Sequence, residues 1–180
     1  MSELDVKSIL KSQKSFFSSH TTKAYTFRID ALSKLEKAIQ QYEPELIKAL
    51  HKDFNKSAYE SYGTEIGLIL AEIRYVKKRL KKWMKAKPVR DVLINFPSKN
   101  FIIAQPYGVA LIIGPWNYPV QLCLNPLIGA IAAGNTSILK PSEWAPEVAS
   151  VLTNMLQAYF SDEYIAIVNG DANVSAKLDE

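Results

Sequence analysis

Three short segments carry residue types suited to chemistry, and each follows an apolar run. Gly114-Pro115-Trp116-Asn117-Tyr118-Pro119 sets one amide side chain in a turn stiffened by a glycine and two prolines. An asparagine amide donates two hydrogen bonds without carrying charge. That suits a developing oxyanion, where loss of one donor costs about 10²–10³ in turnover. Lys140 and Glu143 stand three apart across a proline and together offer a donor and an acceptor to a pair of hydroxyls, as on a ribose. Asn169-Gly170 completes the set. Cys123 is the only cysteine; it follows Asn117 in an apolar stretch and reads as a small buried residue rather than a reactive thiol. His20 and His51 lack ligand-like spacing and read as surface or capping residues.

The elements that must position these residues divide the chain in two. In residues 1–90, 19 Lys and Arg stand against 10 Asp and Glu; in 91–180 the counts are 3 and 8, so the halves are different kinds of object. The first half reads as a helical layer. Leu4, Ile9, Leu10, Phe16 and Phe17 mark an amphipathic helix over 3–17, and Ser18 to Thr22 breaks it. Ile29, Leu32, Leu35 and Ile39 mark a second helix. Pro44 is expected to open a third, through Leu50. Ile66, Ile69, Leu70, Ile73, Val76 and Leu80 predict a long helix from about Tyr59 to Met84, closed by Pro88. Strands at Val92–Ile94 and Phe101–Ile103 follow, joined by a Pro97–Asn100 turn.

The second half alternates. Val109 to Ile113 is a continuous apolar run, expected to be a strand buried on both faces of a parallel sheet. An apolar helix ending at Gly134-Asn135, a strand at Thr136–Leu139, a helix from Pro146 to Phe160 and a strand at Tyr164–Val168 follow. Strand–helix–strand–helix–strand is the mononucleotide-binding half of a doubly wound α/β fold, whose ligands bind beyond the carboxyl ends of the strands. The three polar segments sit there. The usual G-x-G-x-x-G loop is missing after the first strand, so a dinucleotide must be held in another way. As half of such a domain, the chain is expected to leave its last strand uncovered on one side.

Composition narrows the classes. With 48% apolar and 11% aromatic residues the chain is globular and not disordered, and one cysteine excludes a disulfide scaffold. No run reaches the roughly 18 uninterrupted apolar residues of a membrane span, and acids near the N-terminus do not suit a secretory signal. A cytoplasmic protein is the expectation. The nine Lys and Arg from Arg74 to Arg90 read as the solvated face of a helix, with a nucleic-acid or anionic-membrane footprint as the alternative.

Pro-Tyr-Gly-Val-Ala-Leu-Ile-Ile-Gly-Pro-Trp-Asn-Tyr-Pro (106–119), Pro-Leu-Ile-Gly-Ala-Ile-Ala-Ala-Gly-Asn (126–135) and Leu-Lys-Pro-Ser-Glu (139–143) together resemble the aldehyde dehydrogenase superfamily. The resemblance is strongest to its class 3 or fatty-aldehyde branch, and the helical half, from Phe16 through Ala58-Tyr59-Glu60 to Glu65-Ile66-Gly67, is similar to that branch too. It implies a helical segment over 1–90, a strand pair like an oligomerisation arm over 91–105, and the first half of an NAD(P)-binding Rossmann-like domain over 106–180. It implies Asn117 as the oxyanion-hole amide in cysteine-based oxidation of long-chain or aromatic aldehydes. Ile113, Gly114, Pro115 and Trp116 would pass beside the nicotinamide ribose and pyrophosphate, Lys140 and Glu143 would bind the adenosine ribose, and Gly170 would pass under the adenine. A carboxylate at Glu143 favours NAD over NADP, though NADP is also used in the branch. A homodimer is implied as well. The family's nucleophilic cysteine, its glutamate and its glycine-rich cofactor helix are not matched here. The 180 residues alone are therefore expected to be inactive, as the N-terminal part of such an enzyme. A truncated non-catalytic member that binds nucleotide weakly or pairs with full-length subunits is the alternative, with a basic helical binding module behind it.

Overall fold

A computed structural model describes residues 3–90, 94 and 97–179. The helical half holds α1 (Glu3–Ser18), α2 (Tyr25–Phe54), α3 (Ala58–Ser61) and α4 (Gly67–Trp83), with a π turn at Tyr62–Ile66 between the last two. Then come β1 (Lys87–Val89), β2 (Asn100–Ile102), β3 (Val109–Ile113), α5 (Pro119–Ala133), β4 (Thr136–Lys140), α6 (Pro146–Tyr159), β5 (Ile165–Ile167) and α7 (Ala172–Asp179). Strands β3, β4 and β5 form a parallel sheet in that order, with Ile113 opposite Lys140 and Leu139 opposite Ile167.

Two apolar layers sandwich the sheet. On one face Ile112, Leu139 and Ile165 join a core with Leu35, Ile39, Leu46 and Leu50 of α2, Ile69 and Ile73 of α4, Leu124 and Leu127 of α5, and Leu152 and Leu156 of α6. On the other, Ile138, Ala166 and Val168 pack with Ile9 of α1 and with Val174 and Leu178 of α7. Both faces of β5 are thus covered, because α1 and α7 serve as the second layer, while among the described residues its outer edge pairs with no strand, as expected for half of such a domain. Gln13 pins α1 to the sheet: its Nε2 donates to the carbonyls of Ser137 and Asp162 at 2.8 and 3.0 Å.

The expected boundaries of β4, α5 and α6 hold to within a residue or two. Three expectations do not. Pro44 opens no helix but lies inside the single helix α2. Gln40 and Pro44 are both exposed, so the carbonyl that proline leaves unpaired lies on the solvated side of α2, while Leu35, Ile39, Leu46 and Leu50 continue one buried stripe across it. Pro88 lies not at a helix end but within β1, opposite Phe101 in an antiparallel pair; α4 has already ended at Trp83. The expected strand at Val92–Ile94 lies largely outside the described residues. Finally, β3 is not buried on both faces: only Ile112 is buried and Ile113 is 46% exposed, because among the described residues β3 is an edge strand. The fully buried strand is β4, at the centre.

The basic residues of α4 do lie on its solvated side, where Arg74 and Lys77 reach Glu36 at 3.0 and 3.1 Å. No helix among the described residues is long and apolar enough to cross a membrane.

Candidate functional site

The carboxyl ends of β3, β4 and β5 bring the three polar segments to one edge of the sheet. Gly114 leaves β3 buried, with its N–H donating to the Lys140 carbonyl at 2.9 Å, which extends the ladder one step and ties the first segment to the second. A side chain at 114 would collide with Cys123 Sγ, so glycine is required there to let α5 fold back under the strand. The chain then surfaces: Pro115, Trp116 and Asn117 are exposed, Trp116 to 57%, so this tryptophan is a wall of the strand-end surface and not core. Pro119 begins α5.

Lys140 and Glu143 are brought together, but with each other. Lys140 is almost wholly buried, and its Nζ donates to the Pro141 carbonyl at 3.1 Å and to Glu143 Oε2 at 3.0 Å. The hydrogen bond from its own backbone N–H, and then that from Lys140, hold the Glu143 carboxyl below the usual carboxylate range. One end of the pair is thus anchored in the core while Glu143 stays open to solvent. Glu143 lines a cleft of about 340 Å³ with Pro141, Pro146, Thr153, Asn154 and Gly170. Asn169 Nδ2 donates to Thr153 Oγ1 at 2.9 Å, fixing the far wall, and a Cβ at Gly170 would strike Val174 of α7. The floor of that cleft therefore needs glycine for close passage.

Sequence reasoning missed two acids that build the site from below. The first N–H groups of a helix have no partner within it, and both helices that follow the site segments receive a carboxylate from the helical half. Asp53, near the end of α2, accepts from Glu147 N and Val148 N of α6 at 3.3 and 2.9 Å. Glu65, in the π turn, accepts from Val120 N and Gln121 N of α5 at 2.9 and 3.1 Å, and pairs with Lys56. The start of α5 is where a glycine-rich loop would seat a phosphate; here the protein's own carboxylate takes that place, which accounts for the missing motif. A signal for Glu65 was present: it lies in helical phase with Ile69, Ile73, Val76 and Leu80, all buried. Asp53 and Lys56, at the end of α2, had none.

Cys123 is fully buried; burial, with Glu65 adding to it and Lys140 opposing, pushes its thiol up to about 12. It is core, not a nucleophile. Arg28 is likewise structural: its guanidinium donates to the Thr22 and Ala132 carbonyls at 2.9 and 3.0 Å and lies against Gly134, whose φ of 89° ends α5.

Comparison with known proteins agrees with this architecture. Residues 1–179 match the model of the aldehyde dehydrogenase family. The 4,4'-diaponeurosporen-aldehyde dehydrogenase of Staphylococcus aureus is 48% identical over 157 residues, covering 87% of this chain and 34% of that protein. Aldehyde dehydrogenase family 3 member A2 of Macaca fascicularis is 36% identical over 162 residues, covering 90% of this chain and 33% of that protein. A solved structure described as the substrate-bound state of Staphylococcus aureus AldH superposes with a TM-score of 0.94 at 44% identity, over 96% of this chain and 38% of that one. The chain thus spans about a third of the length of the curated relatives it matches.

Proposed function

The chain belongs to the aldehyde dehydrogenase family, and from that premise we propose that it forms the oxyanion-hole and adenosine-side part of an NAD(P)-dependent oxidation of aldehydes to carboxylic acids. The observation that carries this reading is the convergence of Asn117, Lys140–Glu143 and Gly170 at the strand ends, each on a segment whose local geometry needs the residues it has.

In this reading the exposed Asn117 amide donates to the oxygen of an aldehyde as nucleophilic attack makes it an oxyanion. Glu143 accepts from ribose hydroxyls and Lys140 fixes its carboxylate, while Gly170 and Thr153 bound the base-side cleft. The cleft fits that group: an ionised acceptor faces an open cavity whose floor admits no side chain. Ile113, Gly114, Pro115 and Trp116 pass beside the nicotinamide half. The bound nucleotide supplies a hydride acceptor. An ionised carboxylate at Glu143 repels a 2′-phosphate, so NAD is preferred over NADP.

The nucleophile is a cysteine thiolate other than Cys123, whose buried thiol stays protonated at neutral pH. The 180 residues alone therefore do not turn over aldehydes. The segments 1–90, 91–105 and 106–180 act as a helical support, an arm for homodimer pairing and the cofactor-side half-domain. The substrates are long-chain or aromatic aldehydes and the setting is the cytoplasm; the name of the Staphylococcus aureus relative, an aldehyde dehydrogenase for 4,4'-diaponeurosporen-aldehyde, supports an organic aldehyde of that kind.

The experiment is aldehyde-dependent reduction of NAD by the gene product purified from its native source, with its intact mass measured beside it. Turnover by a product well above the mass of this chain agrees with the proposal. A product of this length that oxidises aldehydes, or a longer one that binds no nucleotide, refutes it.

A further inference from the structure

A buried ion pair lies directly beneath the Asn117 turn. Glu65 is fully buried, the Lys56 side chain is 10% exposed, and Nζ stands 2.6 Å from Oε1. Burying two charges is costly, and well-packed apolar residues often serve stability as well, so stability alone gives little reason for the pair. What it touches gives one. Lys56 Nζ donates to the Asn117 carbonyl at 3.1 Å and sits 4.4 Å from the centre of the Tyr118 ring. Glu65 Oε2 receives the Val120 and Gln121 N–H groups. One ion pair thus contacts four of the five residues from 117 to 121.

The local backbone is arranged to deliver it. The π turn at Tyr62–Ile66 interrupts what would otherwise be one helix from α3 into α4, and such insertions recur at functional sites. Gly67 permits that turn, since a Cβ there would come within 2.9 Å of the Tyr62 carbonyl. Asn55, with φ of 55°, ends α2 so that Lys56 turns inward.

We propose that Lys56 and Glu65 form a positioning pair for Asn117, clamping its carbonyl and the start of α5 so that the exposed amide is presented in one orientation. The catalytic consequence rests on the function proposed above; the clamping does not.

The test is made on the protein in its active, full-length form, with Lys56→Met/Glu65→Leu, Lys56→Met and Glu65→Gln variants. Hydrogen exchange at Val120 and Gln121 reads the clamp, and steady-state kinetics read its effect. The double variant is expected to expose both amides to fast exchange and to lower kcat by about 10²-fold, the scale of a 1 Å misplacement. KM for the nucleotide should stay within about twofold. Lys56→Met, which leaves Glu65 on α5, should keep the amides protected yet lower kcat by about tenfold. Unchanged exchange in the double variant, which removes the acceptor altogether, or wild-type kcat in folded variants, overturns the proposal. A purely structural pair would lower the unfolding midpoint and leave kcat of the folded fraction untouched, which also overturns it. A wild-type protein without aldehyde oxidation refutes the proposed function instead, while exchange still decides the clamp.

Discussion

Replacing Gly114 by alanine puts a methyl group into Cys123 Sγ, and the structure specifies how that clash can be relieved. The new Cβ would sit 3.7 Å from Cys123 Cβ and 3.8 Å from the Lys140 carbonyl, both ordinary contacts; only the sulfur stands in its way. Neither β3 nor α5 can easily yield, because Gly114 N–H is bonded to Lys140 and α5 is held at its start by Glu65. Overpacking of this kind costs about 1–3 kcal/mol. Cys123→Ala, which removes one buried atom, should cost about 1 kcal/mol. In Gly114→Ala/Cys123→Ala the added methyl occupies the space the sulfur left, so the double variant should be more stable than Gly114→Ala alone. The coupling should then be about 1–3 kcal/mol in the stabilising direction. Urea unfolding of the four proteins measures it, with unchanged m-values as the check that only stability moved. Additive costs within about 0.5 kcal/mol would show that Gly114 is not there to accommodate Cys123.

Other consequences are as direct. Cys123 should resist alkylation by iodoacetamide in the native protein at pH 8 and react fully once unfolded; fast native labelling would contradict its burial and raised thiol pKa. Asp53→Ala leaves the start of α6 without its acceptor and should cost about 1 kcal/mol by thermal or urea unfolding. Glu143 should titrate, by carboxyl-carbon NMR, below its ordinary value of 4.5. Because its folded-state pKa is depressed, the stabilisation it gives is present above that ordinary value and is lost as pH falls through the folded one. Lys140→Met should move the midpoint up only in part, since the backbone hydrogen bond is the larger cause.

Where the sequence was legible, one physical signal dominated. The α/β half could be read because β4 is a short β-branched and apolar run between a helix-ending Gly134 and Lys140-Pro141, and because Pro119 and Pro146 mark helix starts. The helical half misled where tertiary packing overrode a local rule: Pro44 should stop a helix, but the buried stripe of α2 carries on through it. The π turn was hidden for a related reason, since it ends at Ile66, where the buried run to Leu80 begins, and leaves the spacing of that run intact. The candidate site showed the same split. Asn117, Lys140 and Glu143 announce themselves by their prolines and glycines, whereas Lys56 and Asp53 act across about 60 and 90 residues of chain and have no local mark. Glu65 was the exception, an acid in a buried helical phase, which should prompt a search for its partner.

The proposed chemistry turns on the Asn117 amide. The direct measurement is kcat for aldehyde oxidation, with nucleotide affinity measured in parallel, for the full-length active protein and its Asn117→Ala variant. Loss of the oxyanion donor should lower kcat by about 10²–10³ and leave nucleotide binding intact. A variant as fast as the parent would contradict the account.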